Sequence, residues 1–473
     1  MSKDSIRLPS RRRFLQTAGM GLGSLALASL LNEDAVGQTG SRGPHHAPKA
    51  RSVIWLFMTG GASQVDTFDY KPELQRRNGQ ALAGADPSTG FFTTSGRCLA
   101  SPFRWAQHGQ SGSWVSELLP HTARHVDDMA FIHSCYTSQN NHAHAAVELM
   151  TGVNRPGYPC MGSWLTYGLG SMNENLPAFV VMHDTKPRGD DNIWTPGFLP
   201  KNFQPLTLDS RRREEIANLA RSPQMNDVQQ RSQLDLLREL NEEHQQPRAA
   251  QADLAARIQS FELAYRMQTA APEALDVRGE TAQVNELYGI NRPDTATFGR
   301  QCLIARRLVE RGVRFVQVFF SATRISGGAV NDVPWDGHND INVNHRDCAA
   351  CVDQPVGALI ADLKARGLFD STLVVWGGEF GRTSDSQGAI GRDHNPHAHT
   401  IFLAGGGSRG GVHYGATDDF GYRAVHNRAS VHDIQATILH LMGIDHTRLT
   451  YRFNGRDFRL TDVAGNVIRE VLA

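Results

Sequence analysis

Short apolar, β-branched runs that stop at glycine recur along this chain, and they limit the folds open to it more than any other feature. Residues 373–376 read Leu-Val-Val-Trp and pass directly into Gly-Gly-Glu-Phe-Gly-Arg. Apolar runs bounded in this way are typical of strands buried on both faces of a parallel sheet. Ligands bind just beyond the carboxyl ends of such strands, so the loops that follow them are the first candidates for a site.

Strands and helices alternate along most of the chain. The strand candidates are residues 52–58, 129–132, 178–182, 313–320, 373–376 and 400–404. Between several of them apolar residues recur at helical spacing, as in Phe298, Cys302 and Val309. This alternation predicts an α/β fold with a mostly parallel sheet and helices on both faces. Residues 211–290 are instead rich in Arg, Glu, Gln and Ala, and we expect a helical insertion there.

The N-terminus has the features of an export signal. Three arginines at 11–13 precede Phe14-Leu15 and an apolar, Gly/Ala-rich stretch. This pattern looks like a twin-arginine signal, so we expect residues 1–37 to be the signal, 38–50 a flexible linker and 51–473 the folded domain. The apolar stretch is short for a membrane span. We therefore expect contact with the twin-arginine export machinery, no stable membrane span after cleavage, and a periplasmic or cell-surface location.

Charge and cysteine content narrow the classes of partner. Basic and acidic residues number 48 each, and the sequence pI is about 7.3. This balance gives no electrostatic reason to expect a nucleic acid partner. The six cysteines lack zinc-ribbon spacing. Cys348 and Cys351 are compatible with a disulfide or with two buried thiols on a helix, and we favour the thiols.

Four of the predicted strand ends lead into loops rich in carboxylate and imidazole side chains. The residues concerned are Asp66 after Gly60-Gly61, Asn141 and His142 at the start of a helical pattern, Asp336 and His338, and finally Glu379, Arg382, Arg392, Asp393 and His394. Oxygen and imidazole ligands gathered at one sheet edge indicate a divalent metal and an anionic substrate.

We predict that six of these residues hold one or two divalent ions. They are Asp66, Asp336, His338, Glu379, Asp393 and His394. The mixed ligand set leaves Zn, Mn, Fe, Ca and Mg open. His142 begins a helix, where backbone N–H groups favour an anion, so it is a candidate nucleophile or ligand, with Asn141 beside it. Arg382 or Arg392 is expected to clamp the oxygens of a tetrahedral anion, and Arg382 is the preferred candidate.

The same segments resemble a known family. Residues 57–61, 335–338, 377–382 and 391–394 are similar to those of an exported bacterial family of unknown function, DUF1501, which is sulfatase-like and related to the alkaline phosphatase-like superfamily. The resemblance implies a three-layer sandwich of the alkaline phosphatase-like type. It places Asp66 at the first carboxylate position and His142 at the nucleophile position, where Cys, Ser and Thr are absent.

The resemblance also implies an activity. We expect a metal-dependent hydrolase of sulfate or phosphate esters that works on a small anionic ester or a sulfated polysaccharide. Water whose pKa a metal lowers to about 7 is a competent nucleophile, so a side-chain nucleophile is not obligatory. The missing nucleophile motivates one alternative: a non-catalytic protein of the same fold that binds metal or anions and serves surface or polysaccharide binding.

Overall fold

The computed structural model describes residues 43–473, except 87, 213–214, 218, 222–224, 246–251, 322, 325–329 and 332. The signal predicted over 1–37 and the first part of the predicted linker lie outside the described residues. The backbone amides of His45 and Lys49 donate to the carbonyls of Gly443 and Leu441, at 2.7 and 2.9 Å. Backbone hydrogen bonds thus hold residues 45–50 of the predicted linker on the domain, and the boundaries of the signal, linker and domain stay predictions.

In the described part of the chain, nine strands form a central sheet. The strands, numbered in chain order, are β1 Ser52–Met58, β2 Met129–Tyr136, β3 Phe179–His183, β4 Leu206–Asp209, β5 Phe315–Phe320, β6 Thr372–Gly377, β7 His399–Ala404, β8 Val412–Tyr414 and β9 Ala429–Ser430. Their spatial order is β8-β2-β7-β6-β1-β5-β3-β4, with β9 beside β2. Only β7 runs antiparallel to its neighbours in this sheet. The predicted mostly parallel sheet is confirmed.

Helices cover both faces of this sheet, as predicted. Those of nine or more residues in the described ranges are α1 His142–Thr151, α2 Met161–Leu169, α3 Asp227–Gln245, α4 Ala252–Leu275, α5 Ala296–Glu310, α6 Ile341–Ala365 and α7 Val431–Leu441. Val53, Trp55 and Phe57 of β1 pack with α1, α2 and α7, whereas Ile54 and Leu56 pack with α5 and α6. Burial on both faces explains why the strands read as continuous apolar runs.

The described residues of the predicted insertion are largely helical. Arg231 of α3 pairs with Glu262 of α4 at 2.6 Å. Further along α4, Met267, Ala271 and Ala274 are buried in the same core cluster as α5 and α6. The insertion therefore packs on one face of the sheet. No helix in the described part of the chain combines the length and apolarity that crossing a membrane requires.

The strand directions bring distant loops to one edge of the sheet. Strands β1, β2, β5 and β6 are mutually parallel, so the loops that follow them leave from the same edge. Strand β7 is antiparallel, and its first residue therefore lies at that edge as well. Residues 391–398, which precede β7, are delivered there. One edge thus receives every loop in which the sequence predicts ligands.

Gly60, just after β1, offers a test of how closely these loops pack. Its φ is +105°, and a Cβ atom there would lie 2.8 Å from the backbone nitrogens of Trp335 and Asp336. We expect Gly60→Ala to lower the free energy of unfolding by about 3 kcal/mol or more, because positive-φ strain adds to a backbone clash. Gly84→Ala is the matched control, since Gly84 has φ +76° and no heavy atom within 4 Å. Equal losses in urea unfolding would contradict the packing argument.

The buried His399 is expected to make the stability of the fold depend on pH. It is 2% exposed, and among the described residues neither ring nitrogen has a hydrogen-bond partner. Burial lowers its pKa to about 3. The unfolded chain binds this proton at a higher pH, so His399 removes up to about 1.4 kcal/mol of stability per pH unit as the pH falls below about 6.5.

We therefore expect His399→Leu to lose less stability than the wild type between pH 7 and pH 5, as measured by urea unfolding. His426 is exposed, and His426→Leu should keep the wild-type pH dependence. Parallel pH profiles for His399→Leu and the wild type would show that the buried imidazole is not responsible.

Candidate metal centre

Three imidazoles and one carboxylate converge at this edge of the sheet. The Nε2 atoms of His142, His338 and His394 lie 3.3, 2.8 and 3.2 Å from Asp336 Oδ1. One donor atom from each of these four side chains lies within 4.8 Å of all the others. His142 and His394 are buried, whereas Asp336 and His338 each keep 16% of their side-chain surface exposed. The centre therefore opens to solvent on the side of Asp336 and His338.

The fold supplies these four side chains from three separate segments. His142 is the first residue of α1, which follows β2. Asp336 and His338 come from the loop after β5, and His394 comes from the segment that enters β7. His394 is further fixed because residues 394–395 pair with Gly381–Arg382 in a short antiparallel ladder. The sheet thus brings together side chains from three segments that are far apart in sequence.

In each imidazole the Nδ1 atom faces an oxygen atom. The pairs are His142 with Glu379 Oε1 at 2.7 Å, His338 with Gln387 Oε1 at 2.5 Å, and His394 with the Asn140 carbonyl at 2.5 Å. These oxygens accept hydrogen bonds, so each Nδ1 is placed to carry a proton, and in the neutral ring the Nε2 lone pair is then directed inward. The Nε2 atoms of His338 and His394 are only 3.0 Å apart. Lone pairs at this separation repel one another unless a cation lies among them.

This donor set fits a metal ion. Metal-binding histidines usually donate their second N–H to a carboxylate or a carbonyl, as all three do here. Within the described chain the buried Nε2 atom of His142 has no hydrogen-bond partner of good geometry. His142, Asp336, His338 and His394 are therefore the residues that would hold the ion. His142, for which the sequence left nucleophile and ligand open, lies in this ligand group.

The electrostatics of the centre keep Asp336 ionised. Burial opposes ionisation, but the Arg382 guanidinium, 2.6 Å from Oδ1, and the three imidazoles hold the pKa of Asp336 far below its usual range. Burial lowers the pKa of His394 to about 3, so its ring is neutral and able to bind metal. Burial also opposes protonation of His142, yet Asp336 and Glu379 outweigh it and raise the pKa of His142.

Glu379 supports a ligand and lies outside the four-residue group. Its Oε1 atom accepts hydrogen bonds from His142 Nδ1 and, at 2.9 Å, from the Gly60 amide. The carboxylate therefore stands behind the imidazole, on the side away from Asp336. In this structure Glu379 orients His142, and its role as a metal ligand stays a prediction.

Asp66 is also absent from the group. It is completely buried, and its Oδ2 atom accepts from Arg392 Nε at 2.7 Å and from the Ser63 hydroxyl at 2.6 Å. Burial raises the pKa of the Asp66 carboxyl, but the charge of Arg392 outweighs burial and holds it below the usual value. In this structure Arg392 forms an ion pair with the carboxylate that was predicted to bind metal.

Asp393 and Asn141 have structural partners. Asp393 Oδ1 accepts from the His394 amide at 2.7 Å, and Oδ2 accepts from the Phe92 amide at 2.6 Å. Asp393 therefore fixes the backbone beside a ligand instead of binding metal as predicted. The Asn141 side chain caps α1 by accepting from the amides of Ala143 and His144. Its predicted place among the catalytic residues is not supported, because the cap engages its carbonyl oxygen.

Arg382 does not face the solvent. It is fully buried, and its guanidinium donates to the carbonyls of Gly60, Gly61 and Arg392 as well as to Asp336. All three guanidinium nitrogens are bonded within the protein. The prediction that Arg382 clamps a substrate anion is wrong for this reason, and the residue instead positions Asp336.

Two contacts of the centre were missed from the sequence. Gln387 lies in a polar loop with no feature that sets it apart, and it holds His338. The carbonyl of Asn140 holds His394, and a backbone contact of this kind leaves no mark on the residue type. Glycines after Gln387 and before Arg392 are visible in the sequence, but they indicate only a turn.

Comparison with known proteins identifies the family. Residues 50–472 match the sequence model described as "Protein of unknown function (DUF1501)". The chain belongs to the DUF1501 family. The resemblance seen in its loops is thereby confirmed at the family level.

Several solved structures are similar to this DUF1501 protein. They include the PsFucS1 sulfatase from Pseudoalteromonas sp. (14% identity, 96% of this chain and 78% of that chain covered, TM-score 0.36) and the lipoteichoic acid synthase LtaP from Listeria monocytogenes (12%, 92% and 80%, 0.34). Alkaline phosphatase from the Antarctic bacterium TAB5 is a third (11%, 83% and 98%, 0.32). No curated protein matches the chain significantly.

The ligand assignment predicts how metal content responds to substitution. We expect His338→Gln to abolish stoichiometric binding and Gln387→Ala to weaken affinity about 10–100-fold, because the second residue only orients the first. Metal analysis after dialysis and competition with a chelator measure both. His413→Gln is the control, since His413 bonds to Ser113 and His133, outside this group. Full metal content in His338→Gln would refute the assignment.

Proposed function

We propose that this DUF1501 protein is an exported, metal-dependent hydrolase of sulfate or phosphate esters. The observation that carries the proposal is the convergence of three inward-directed imidazoles and an ionised carboxylate at a point open to solvent. Export through the twin-arginine pathway, to the periplasm or cell surface, is supported by the arginines at 11–13 and the apolar stretch after them. The sequence resemblance to sulfatase-like proteins supports the choice of ester.

We propose one ion per chain. The four residues of the centre provide a complete set of donors, and the predicted further ligand Asp66 is neutralised by Arg392. Three imidazoles with a single carboxylate suit zinc, iron or manganese, whereas calcium and magnesium favour oxygen ligands. When bound, such an ion would polarise an ester oxygen and lower the pKa of water.

The chain's own residues set the geometry of the reaction. His142 has one ring nitrogen on Glu379 and the other directed at the ion site, so water is the proposed nucleophile in its place. The buried Phe380 ring packs against His142 and His394, with centroids 4.8 and 4.6 Å apart, and closes the inner side. Water and substrate therefore reach the centre from the side of Asp336 and His338.

The non-catalytic alternative is a metal- or anion-binding protein of the same fold, and one observation favours its metal-binding form. Both arginines predicted to hold an anion are bonded inside the protein: Arg382 to Asp336 and Arg392 to Asp66. A hydrolase of this kind would therefore rely on the ion and on other groups to bind the anion.

Turnover of 4-nitrophenyl sulfate and 4-nitrophenyl phosphate tests the proposal. The assay is run on the exported protein loaded with zinc, manganese or iron. We expect His142→Gln to reduce kcat/KM at least about 100-fold, and Glu379→Gln to reduce it about 10–100-fold, because the first removes a ligand and the second its support. The exposed His426→Gln should be unchanged.

Metal content and turnover together distinguish the two proposed functions. Bound metal without turnover on a wide panel of sulfate and phosphate esters would favour the binding role. Turnover that survives in His142→Gln would reject this centre as the active site. Absence of bound metal after loading would reject both the hydrolase and the metal-binding role.

A further inference from the structure

A loop with two exposed phenylalanines is fastened to the metal centre. The Asn140 side chain donates to the Gly90 carbonyl at 2.8 Å, and the Phe92 amide donates to Asp393 Oδ2 at 2.6 Å. Further on, the Ser95 amide donates to the Ser386 carbonyl at 2.8 Å. Each anchor lies in a segment that also carries a part of the centre. Residues 89–96, which we name the aromatic loop, are therefore fixed relative to the ligands.

The backbone of the aromatic loop packs directly against the Asp393 side chain at Gly90. A Cβ atom added to Gly90 would lie 2.2 Å from Asp393 Oδ2. Asp393 in turn accepts from the amide of His394, one of the four ligands. Only glycine leaves room at this position, so the sequence permits the loop to lie directly on the ligand segment.

Two rings of the aromatic loop stand over two ligands. The Phe91 ring centroid is 5.6 Å from that of His394, and the Phe92 centroid is 5.1 Å from that of His338. The two phenylalanine rings meet edge to face, with centroids 5.1 Å apart. Phe91 and Phe92 are nevertheless 50% and 51% exposed. Isolated exposed apolar residues are ordinary, but this pair lies beside the open side of a polar centre.

The surroundings of the pair indicate what it binds. The two rings lie against two imidazoles of a polar centre, so a ligand that reaches both must carry a polar group next to an apolar face. An ester of a pyranose has this character, because the apolar C–H face of the ring lies beside the ester group. A short alkyl group is too small to cover both phenylalanines.

We propose that Phe91 and Phe92 bind the sugar ring of a saccharide ester and determine specificity for it. The inference rests on the proposed hydrolase function, and it adds the class of alcohol to that function. The ester group would lie at the open side of the centre near His338, and the sugar ring would lie on the two phenylalanine faces. Neither residue is assigned a part in the chemical step.

Binding is measured first, independently of turnover. Saturation-transfer NMR on the zinc-loaded protein uses glucose 6-sulfate and ethyl sulfate as probes. We expect transfer to the ring C–H protons of glucose 6-sulfate in the wild type, and at least about a fivefold loss in Phe91→Ala and Phe92→Ala. Phe92→Tyr should retain the transfer because it keeps the ring face, and Phe92→Leu should lose it. Phe453→Ala, which alters an exposed phenylalanine outside the aromatic loop, is the matched control.

Turnover provides the second measurement. The ratio of kcat/KM for glucose 6-sulfate to that for ethyl sulfate should fall about tenfold in Phe92→Ala and keep its wild-type value in Phe453→Ala, with the metal content of each variant measured in the same samples. A hydrolase that shows no change in this ratio or in NMR transfer would overturn the inference and leave the proposed function standing. If metal is bound but no ester is turned over, the NMR comparison still decides whether the pair binds sugar.

Two other occupants are distinguishable. If Phe92→Ala lowers kcat/KM for 4-nitrophenyl sulfate but not for glucose 6-sulfate, the two rings bind aryl groups. That result would overturn the assignment to sugar. Sedimentation velocity tests for a second copy of the chain. If the wild type is a dimer and Phe91→Ala and Phe92→Ala are monomers, the rings form a subunit interface. That result would also overturn the assignment to sugar.

Discussion

Three imidazole Nε2 atoms face one carboxylate oxygen of Asp336, and the rest of the site is arranged around that contact. With neutral rings such an assembly is unfavourable, because every inward-facing atom is then an acceptor in a largely buried setting. A cation at the centre reverses the sign of the interaction. The groups that fix the outer nitrogens, Glu379, Gln387 and the Asn140 carbonyl, come from separate segments. Holding the imidazoles in place therefore also joins three loops at the edge of the sheet.

Two buried arginines complete this arrangement by fixing carboxylates. Arg382 bonds to Asp336 and to backbone carbonyls of the loop after β1, and Arg392 bonds to Asp66 and to the Leu99 carbonyl. Removing one partner of a buried ion pair leaves an uncompensated charge, at a cost of about 3–5 kcal/mol. Arginines that look available for substrate in the sequence are thus committed to the scaffold. The positive charge they bring favours the ionised form of each carboxylate, and Asp336 needs that form to bind metal.

The sequence was sufficient for the architecture and for the neighbourhood of the site. Strands covered on both faces must be apolar throughout, so β1, β5 and β6 stand out as continuous runs, and their parallel order brings the following loops together. The sequence could not distinguish the residues that would bind the metal from those that orient them. Asp336 and Asp66 are both aspartates in loops after strands, and both meet an arginine; only the packing decides which of them also faces three imidazoles. Gln387 was missed for a related reason, since a glutamine in a polar loop gives no signal until the imidazole beside it is placed.

Asp393 shows why a residue that is not a ligand can still govern the centre. One of its oxygens accepts from the amide of His394 and the other from the amide of Phe92, so a single carboxylate joins a ligand to the aromatic loop. The carboxylate is fully buried, which makes both bonds costly to break. A displacement of Phe92 is consequently transmitted to the backbone of His394 through two hydrogen bonds. The surface on which we place the sugar and the geometry of the ion site are therefore coupled, and neither can be altered at Asp393 without affecting the other.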